Sequence, residues 1–208
     1  MDTTQLIAIA AALGWASGLR LYAVLFLTGL AGHLGWVQLP HGLQVLQSMP
    51  MLLASAVLLV VEFFADKVPL IDSMWDTLHT LIRIPAGAAL AASVFGGDHA
   101  TQAAVAALLG GALAATSHAA KASTRAAVNA SPEPFSNIAL SLVGDAMVPG
   151  ALWLAWSHPL VFLIVLAIVL VLMALLIRLL ARFVSRLWRR RARRQGTSLI
   201  DVRQDPGR

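Results

Sequence analysis

The sequence predicts an all-α fold, a polytopic transmembrane bundle of about six spans, from three observations. Of 208 residues, 59% are apolar and only 12% are charged, against roughly 25% charged in a soluble domain. Leu160 to Ile177 is an unbroken apolar run, long enough to cross about 30 Å of hydrocarbon as a helix. Charge is also unevenly placed: from Arg178 onward the chain carries a net +8, while residues 1–177 carry −3. The basic balance therefore belongs to a tail that grows out of a span. Such a tail fits a positive-inside anchor for anionic headgroups. It lacks the recognition module of a nucleic-acid-binding protein.

The elements follow in order. Helix 1 is expected over 4–32, with Gly14, Gly18, Gly29 and Gly32 permitting close packing. It is too long, and too poor in N-terminal positive charge, for a cleaved signal peptide. A loop containing Pro40 leads to helix 2, 50–65, which opens on Pro50 and closes near Glu62. Asp72 suits the N-cap of helix 3, 72–96, which contains Pro85 and ends at Gly96-Gly97. Helix 4 is placed at 101–129. Ser136 suits the N-cap of helix 5, 136–157, which contains Pro149. Helix 6 covers 159–181 and completes a transmembrane domain, 1–188. Residues 182–208 form an Arg-rich tail, lying first along headgroups (Arg178 to Arg194) and then disordered.

The loops between helices 1 and 2, 3 and 4, and 5 and 6 hold no Lys or Arg, whereas Lys67, the basic end of helix 4 and the tail fall on the other side. This alternation fits six spans, a multi-pass membrane protein with both termini in the cytoplasm. The Asp72/Pro85 and Ser136/Pro149 pairs share a 13-residue spacing. They suggest a duplicated unit of span, loop and proline-interrupted helix. A weaker match between Thr4–Gly14 and Thr101–Gly111 suggests inverted halves instead.

Arg20 lies within an otherwise uncharged run, Leu6 to Gly32. A guanidinium keeps its proton, and a charge at bilayer centre costs about 2.5–3.5 kcal/mol on translocon scales. Arg20 therefore needs an internal partner. Asp145, equally isolated halfway along helix 5, is the preferred one, with Arg83 as its competitor. Helix 3 carries Asp72, Asp76, His79, Thr80 and Arg83 at offsets of 4, 7, 8 and 11, all on one face. Helix 4 carries His118, Lys121, Arg125 and Asn129 on one face, and helix 5 carries Asn137, Ser141 and Asp145. The bland account of these stripes is structural, an ion-pair ladder on helix 3 and snorkelling of Lys121 and Arg125 on helix 4. The sharper one is a charged cavity, completed by Glu62 and Asp66 and open to the cytoplasm.

An enzyme is the weaker reading. Asp72, Asp76 and His79 have a spacing that can ligate a divalent cation, but helical polar spacing of this kind is common. No His-Glu-x-x-His, Gly-x-Ser-x-Gly or P-loop motif occurs, and no metal or cofactor is expected. Zero cysteines exclude disulfides, thiolate chemistry and iron–sulfur ligation.

The strings Glu62-Phe-Phe-Ala-Asp-Lys-Val-Pro-Leu-Ile-Asp-Ser-Met-Trp-Asp-Thr-Leu-His-Thr-Leu-Ile-Arg-Ile-Pro-Ala-Gly-Ala and His118-Ala-Ala-Lys-Ala-Ser-Thr-Arg-Ala-Ala-Val-Asn-Ala-Ser-Pro-Glu-Pro-Phe-Ser-Asn resemble a family of bacterial integral membrane proteins known only as a domain of unknown function. The resemblance covers roughly residues 10–157 and implies a membrane protein without implying an activity. Members tend to end the Ser141 segment in two acidic residues, where this chain has Gly144-Asp145.

The functional expectation is a small transporter or channel-like protein. Arg20, His118, Lys121, Arg125 and Asn129 would bind a small anionic substrate. Glu62, Asp66, Asp72, Asp76, His79 and Asp145 would take up coupling protons or cations, with Arg83, Ser136, Asn137 and Ser141 as caps and polar support. The alternatives are handling of a phosphate-bearing lipid or polyprenyl carrier, by binding, flipping or turnover, and a non-catalytic assembly factor. Expected partners are membrane lipids and a second copy of the chain, with no nucleic acid.

Overall fold

The computed structural model describes residues 1–68, 71–96, 99–129 and 134–204; side chains are described for these except at 73, 129, 134, 137 and 183–204. The described residues form a helical bundle: α1 (Thr3–His33), a 3-10 helix (His41–Gln47), α2 (Met49–Ala65), α3 (Ile71–Ser93), α4 (Ala100–Asn129), α5 (Pro134–Ser157) and α6 (Pro159–Gln204). Among the described residues four helices are long and apolar enough to cross a membrane: α1, α4, and the segments Ile138–Ser157 and Pro159–Arg182. The 3-10 helix and α2, bent by 70° at their junction, have the length and composition of a fifth if the pair is one broken span rather than a re-entrant loop. α3 is not among them; it carries Asp72, Asp76 and Arg83 within its length.

α1 is the core of the bundle. In its most apolar stretch 78% of residues are buried, against 11% in α6. Its glycines explain how the neighbours come so close. A Cβ on Gly14 would stand 2.6 Å from the Gly110 Cα, and one on Gly18 would collide with the Ala114 carbonyl and the Ser117 hydroxyl. In the second half of α1, Gly29 lies against the Leu46 carbonyl and Gly32 against Leu39. The expected small-residue packing is therefore present along both halves, each half meeting different elements.

The two halves do not form one straight helix. Arg20 has φ −149° and ψ 90°, outside helical space, so α1 is two helices joined at that residue. The first half runs beside α4 in the same direction, with Gly14 against Gly110 and Gly18 against Ser117. The second half returns, so both ends of α1 lie at one end of the bundle. There the Gln5 side chain donates to the Trp156 carbonyl (3.3 Å). Met1 and Gln5 share a cleft with Leu27, Thr28 and Ala31.

That break corrects one expectation. Residues 4–32 do not form one uninterrupted helix, because the backbone leaves helical space at Arg20 and turns back. Met1 lies with the α3–α4 and α5–α6 connections. α6 starts at that same end and packs Phe162, Leu163, Leu166, Val169, Leu170 and Met173 along the core on its way to the other. The expected interruptions at Pro85 and Pro149 are absent, since both residues lie inside helices that run on through them. α6 likewise continues as helix to Gln204, past the expected boundary at 182.

Every connection at the Met1 end is free of Lys and Arg among the described residues, and Lys67, Lys121 and Arg125 lie toward the other. We call the two ends the tryptophan end, for Trp36, Trp153 and Trp156, and the charged end. In proteoliposomes, single cysteines replacing Thr4 and Gln44 should react with an impermeant maleimide from the same face. A cysteine replacing Val68 should react from the opposite face. Labelling of the Thr4 cysteine from the Val68 side would mean that α1 crosses straight through.

Candidate functional site

All five Lys and Arg residues in the first 177 positions, Arg20, Lys67, Arg83, Lys121 and Arg125, converge at the charged end with five carboxylates, Glu62, Asp66, Asp72, Asp76 and Asp145. The helical spacings make this possible. Asp72, Asp76 and Arg83 occupy one face of α3, and Lys121 and Arg125 one face of α4. These faces are turned toward each other in the most extensive helix contact of the bundle.

Arg20 sits at the apex of α1, and its Nη2 is shared. It lies 2.9 Å from Asp145 Oδ1 and 3.1 Å from Asp66 Oδ2, and it donates to the Ser141 hydroxyl at 2.9 Å and carbonyl at 3.3 Å. The break leaves the Leu19 carbonyl at the C-terminal end of the first half-helix, and the Lys121 ammonium donates to it at 3.0 Å. The Trp15 carbonyl accepts from the Ser117 hydroxyl at 2.7 Å. A cation at a helix C-terminus both satisfies an orphan carbonyl and answers the negative end of the helix dipole. The break is therefore held by side chains from α2, α4 and α5.

Asp66 is the hub. Fully buried at the end of α2, it receives Arg20, Lys121 and Arg125, each at 3.1 Å. Asp76 receives Arg83 at 2.6 Å, Lys121 at 3.1 Å and Arg125 Nε at 3.7 Å. Asp72 pairs with Arg125 at 3.3 Å. Arg83 spans Asp76 and Glu62 (2.8 Å) with its two terminal nitrogens, a bridge that needs the planar fork of arginine. Lys67 reaches Asp145 at 3.1 Å and lies over the Phe63 ring at 3.1 Å from its centre.

Two histidines flank the pairs. Thr80 Oγ1 donates to the Asp76 carbonyl (2.9 Å) and lies 2.7 Å from His118 Nε2. Because Arg83 Nη1, a donor, faces His118 Nδ1 at 3.4 Å, the network assigns a neutral ring protonated on Nε2. On the other side His79 Nδ1 lies 2.8 Å from the Trp75 carbonyl and Nε2 lies 3.1 Å from the Tyr22 hydroxyl. Nδ1 therefore carries the proton and Tyr22 donates. The Trp75 ring stacks on His79 with centres 4.1 Å apart.

The expected pairing of Arg20 with Asp145 is present, and Arg83 takes Glu62 and Asp76 instead of competing. Among the described residues most of the network is buried: Arg20, Glu62, Asp66, Asp72, Asp76, Arg83 and Arg125 are buried, while Asp145 (23% exposed) and Lys67 (20%) are partly open. The supposed division into anion-binding cations and ion-coupling acids is not one of place, since every cation is interleaved with carboxylates. Asp72 lies in the first turn of α3 and pairs with Arg125, so it is no N-cap. The stripe Asp72, Asp76, His79 does not converge as a metal site, because His79 turns to Tyr22 and Trp75 while the aspartates turn to cations. Ser136 falls in the first turn of α5. Asn129, Asn137 and most of the Arg178–Arg194 tail lie outside the described side chains, while Arg178 and Arg182 are exposed. Sequence reasoning missed Lys67 and Tyr22. Lys67 read as a loop charge, and Tyr22, the one tyrosine of the chain, carried no spacing signal.

Two clefts lie away from the network. One, about 770 Å³, opens at the tryptophan end and is lined by α1, the segment after it and α5, including Gln5, Thr28, Trp36, Pro149, Trp153 and Trp156. The other, about 480 Å³, lies between the first half of α1 and α4, with Thr3, Thr101 and Gln102 at its mouth and Leu109, Gly110 and Leu113 deeper in.

Removing one partner from a buried ion pair costs about 3–5 kcal/mol because the other charge is stranded. Asp66→Asn, which takes one carboxylate from each of three buried cations, should destabilise by about that much. Asp145→Asn, whose site is partly open, should cost about 1–3 kcal/mol. Thermal denaturation in detergent reads both, and equal losses would contradict the assignment of Asp66 as the hub.

No curated protein and no solved structure matches the chain. A family model does match, over residues 7–179, which include the whole charged network and both halves of α1. The chain belongs to the family described as Domain of unknown function (DUF4126).

Proposed function

We propose that this chain is a small transporter of the bacterial inner membrane, held with its substrate cleft open at the tryptophan end and its charged network closed as the opposite gate. The observation that carries the reading is the stacking of cleft, plug and ion pair along one interface. The cleft is walled by α1 and α5. Beneath it Val24 and Val148 are fully buried, and Arg20 and Asp145, one turn further along each helix, form the 2.9 Å pair. A broken helix with charged groups at its break, placed in the interior, is a recurring construction of membrane transport sites. The pairs are formally neutral as a set, so their arrangement changes without creating a net buried charge.

The positive-inside bias supports a cytoplasmic location for the charged end and for the tail, with Arg178 and Arg182 toward anionic headgroups. In this topology the chain crosses with the bent 3-10/α2 pair, α3, α4, α5 and α6. α1 dips in from the outer face and returns, leaving the N-terminus outside. Arg20, Lys121 and Arg125, expected to bind an anionic substrate, are engaged by carboxylates in this closed arrangement. A second reading, a lipid-handling protein, is favoured by the cleft between α1 and α4, with polar groups at its mouth and apolar ones within.

The cysteine-free sequence makes alternating access directly measurable. A Cβ at Gly144 meets only Arg20 Nε, at 3.7 Å, so Gly144→Cys is tolerated beside the gate, and Ala31→Cys reports from the cleft. Asp145→Asn should raise labelling at position 144 from the charged face and lower labelling at position 31 from the tryptophan face, each severalfold. A simultaneous rise at both would indicate a channel, and no change at either would make the network purely structural. Lipid copurifying with the chain, and lost when Ala106→Trp fills the second cleft while the labelling stays uncoupled, would favour the second reading.

A further inference from the structure

We propose that the cleft at the tryptophan end is a recognition site for a lipophilic organic cation. The inference deepens the transport reading and rests on it for what happens to the ligand, while binding itself stands on the cleft alone. At about 770 Å³ the space falls in the range of small-molecule sites, about 300–1,000 Å³. Three of the chain's six tryptophans line it: Trp153 and Trp156 from α5, and Trp36 from the segment after α1. Indole faces are the strongest aromatic partners for a cation.

Tryptophans at the end of a membrane helix are common as interfacial anchors, and Trp36 (74% exposed) and Trp153 (64%) satisfy that description. Trp156 does not. It is half-buried inside the cleft, with its carbonyl taken by Gln5. Trp153 is held edge-on to His158 with ring centres 5.9 Å apart. One helix and the segment after α1 thus bring three rings to one concavity, where a belt would scatter them around the bundle.

The aromatic lining, more than charge, sets the ligand's sign. The side chains lining the cleft are apolar, aromatic, amide or hydroxyl groups; the one charged group among the lining residues is the Met1 α-ammonium, which the Asp2 carboxylate follows in the chain. The described residues of this end contain no Lys or Arg. Asp145, one turn below Pro149 on α5, is already paired with Arg20 and Lys67. An anion entering here would lose its water against indoles with no side-chain cation to receive it. A cation would meet three indole rings instead. The amides of Gln5 and Gln38 and the hydroxyls of Thr28 and Ser157 leave room for polar substituents. The bulk of the ligand must be apolar, because most of the wall is.

Equilibrium binding of tetraphenylphosphonium to the purified protein in detergent tests this, with tetraphenylborate as a competitor of the same shape and opposite charge. One-to-one saturable binding is expected, weakened at least tenfold by Trp156→Leu. Trp36→Leu, at an exposed position, should weaken it severalfold with the melting temperature unchanged, which separates recognition from folding. Tetraphenylborate should not displace the cation. Absence of saturable binding, equal displacement by tetraphenylborate, or wild-type affinity in both tryptophan variants would overturn the proposal. Saturable binding with uncoupled labelling at positions 31 and 144 would keep the site and remove the transport reading. Coupled labelling without cation binding would do the reverse.

Discussion

At Arg20 a permanent charge and a broken helix coincide, and each accounts for the other. The guanidinium needs acceptors in a region where a lipid-facing charge is costly. The break turns it toward Asp66, Asp145 and Ser141. The backbone group freed by the break then needs a donor, which Lys121 supplies, and Lys121 in turn is held by Asp66 and Asp76. From this one residue the requirement for partners spreads through α2, α3, α4 and α5. The fold is organised around α1 because α1 brings the apex and more of the buried apolar residues than any other helix.

Buried ion pairs of this kind are weak evidence for stability, since desolvation offsets much of the attraction. Their consequence is specificity. Five cations and five carboxylates can be satisfied together only when all the helices are in register, so a slipped or partly assembled bundle leaves charges stranded. The same property suits a gate: a network that is neutral as a whole exchanges partners at less cost than one that must expose a net charge. Asp145 and Lys67 are the most exposed members of the ion-pair network.

Much of the helix order was legible, because apolar periodicity and Pro, Gly and Ser punctuation report local structure. The Arg20–Asp145 pair was legible for a different reason: both were isolated charges at similar depth, and each needed a partner. The opposed faces of α3 and α4 followed from helical spacing. What the sequence concealed depends on distant contacts. Nothing near Arg20 marks a break, whereas Pro85 and Pro149 do; yet helix continues through both prolines, since neighbouring groups re-satisfy the backbone in such bundles. Asp66 was legible as a member of the charged cluster but not as a partner of Arg20, and Lys67 read as a loop charge; only the return of α1 brings Arg20 to Asp66. The outer cleft was concealed too, because it exists only once α1 folds back beside α5.

The central claim is that Arg20 at the apex of α1 and Asp66 at the end of α2 form one energetic unit. A double-mutant cycle measures this most directly, using Arg20→Gln, Asp66→Asn and the pair together, with unfolding free energies from detergent denaturation. The account predicts strong coupling, with the double variant no less stable than the worse single variant and an interaction energy of about 2–3 kcal/mol. Additive losses within about 0.5 kcal/mol would contradict it and would mean that the break in α1 is held by something other than this charge network.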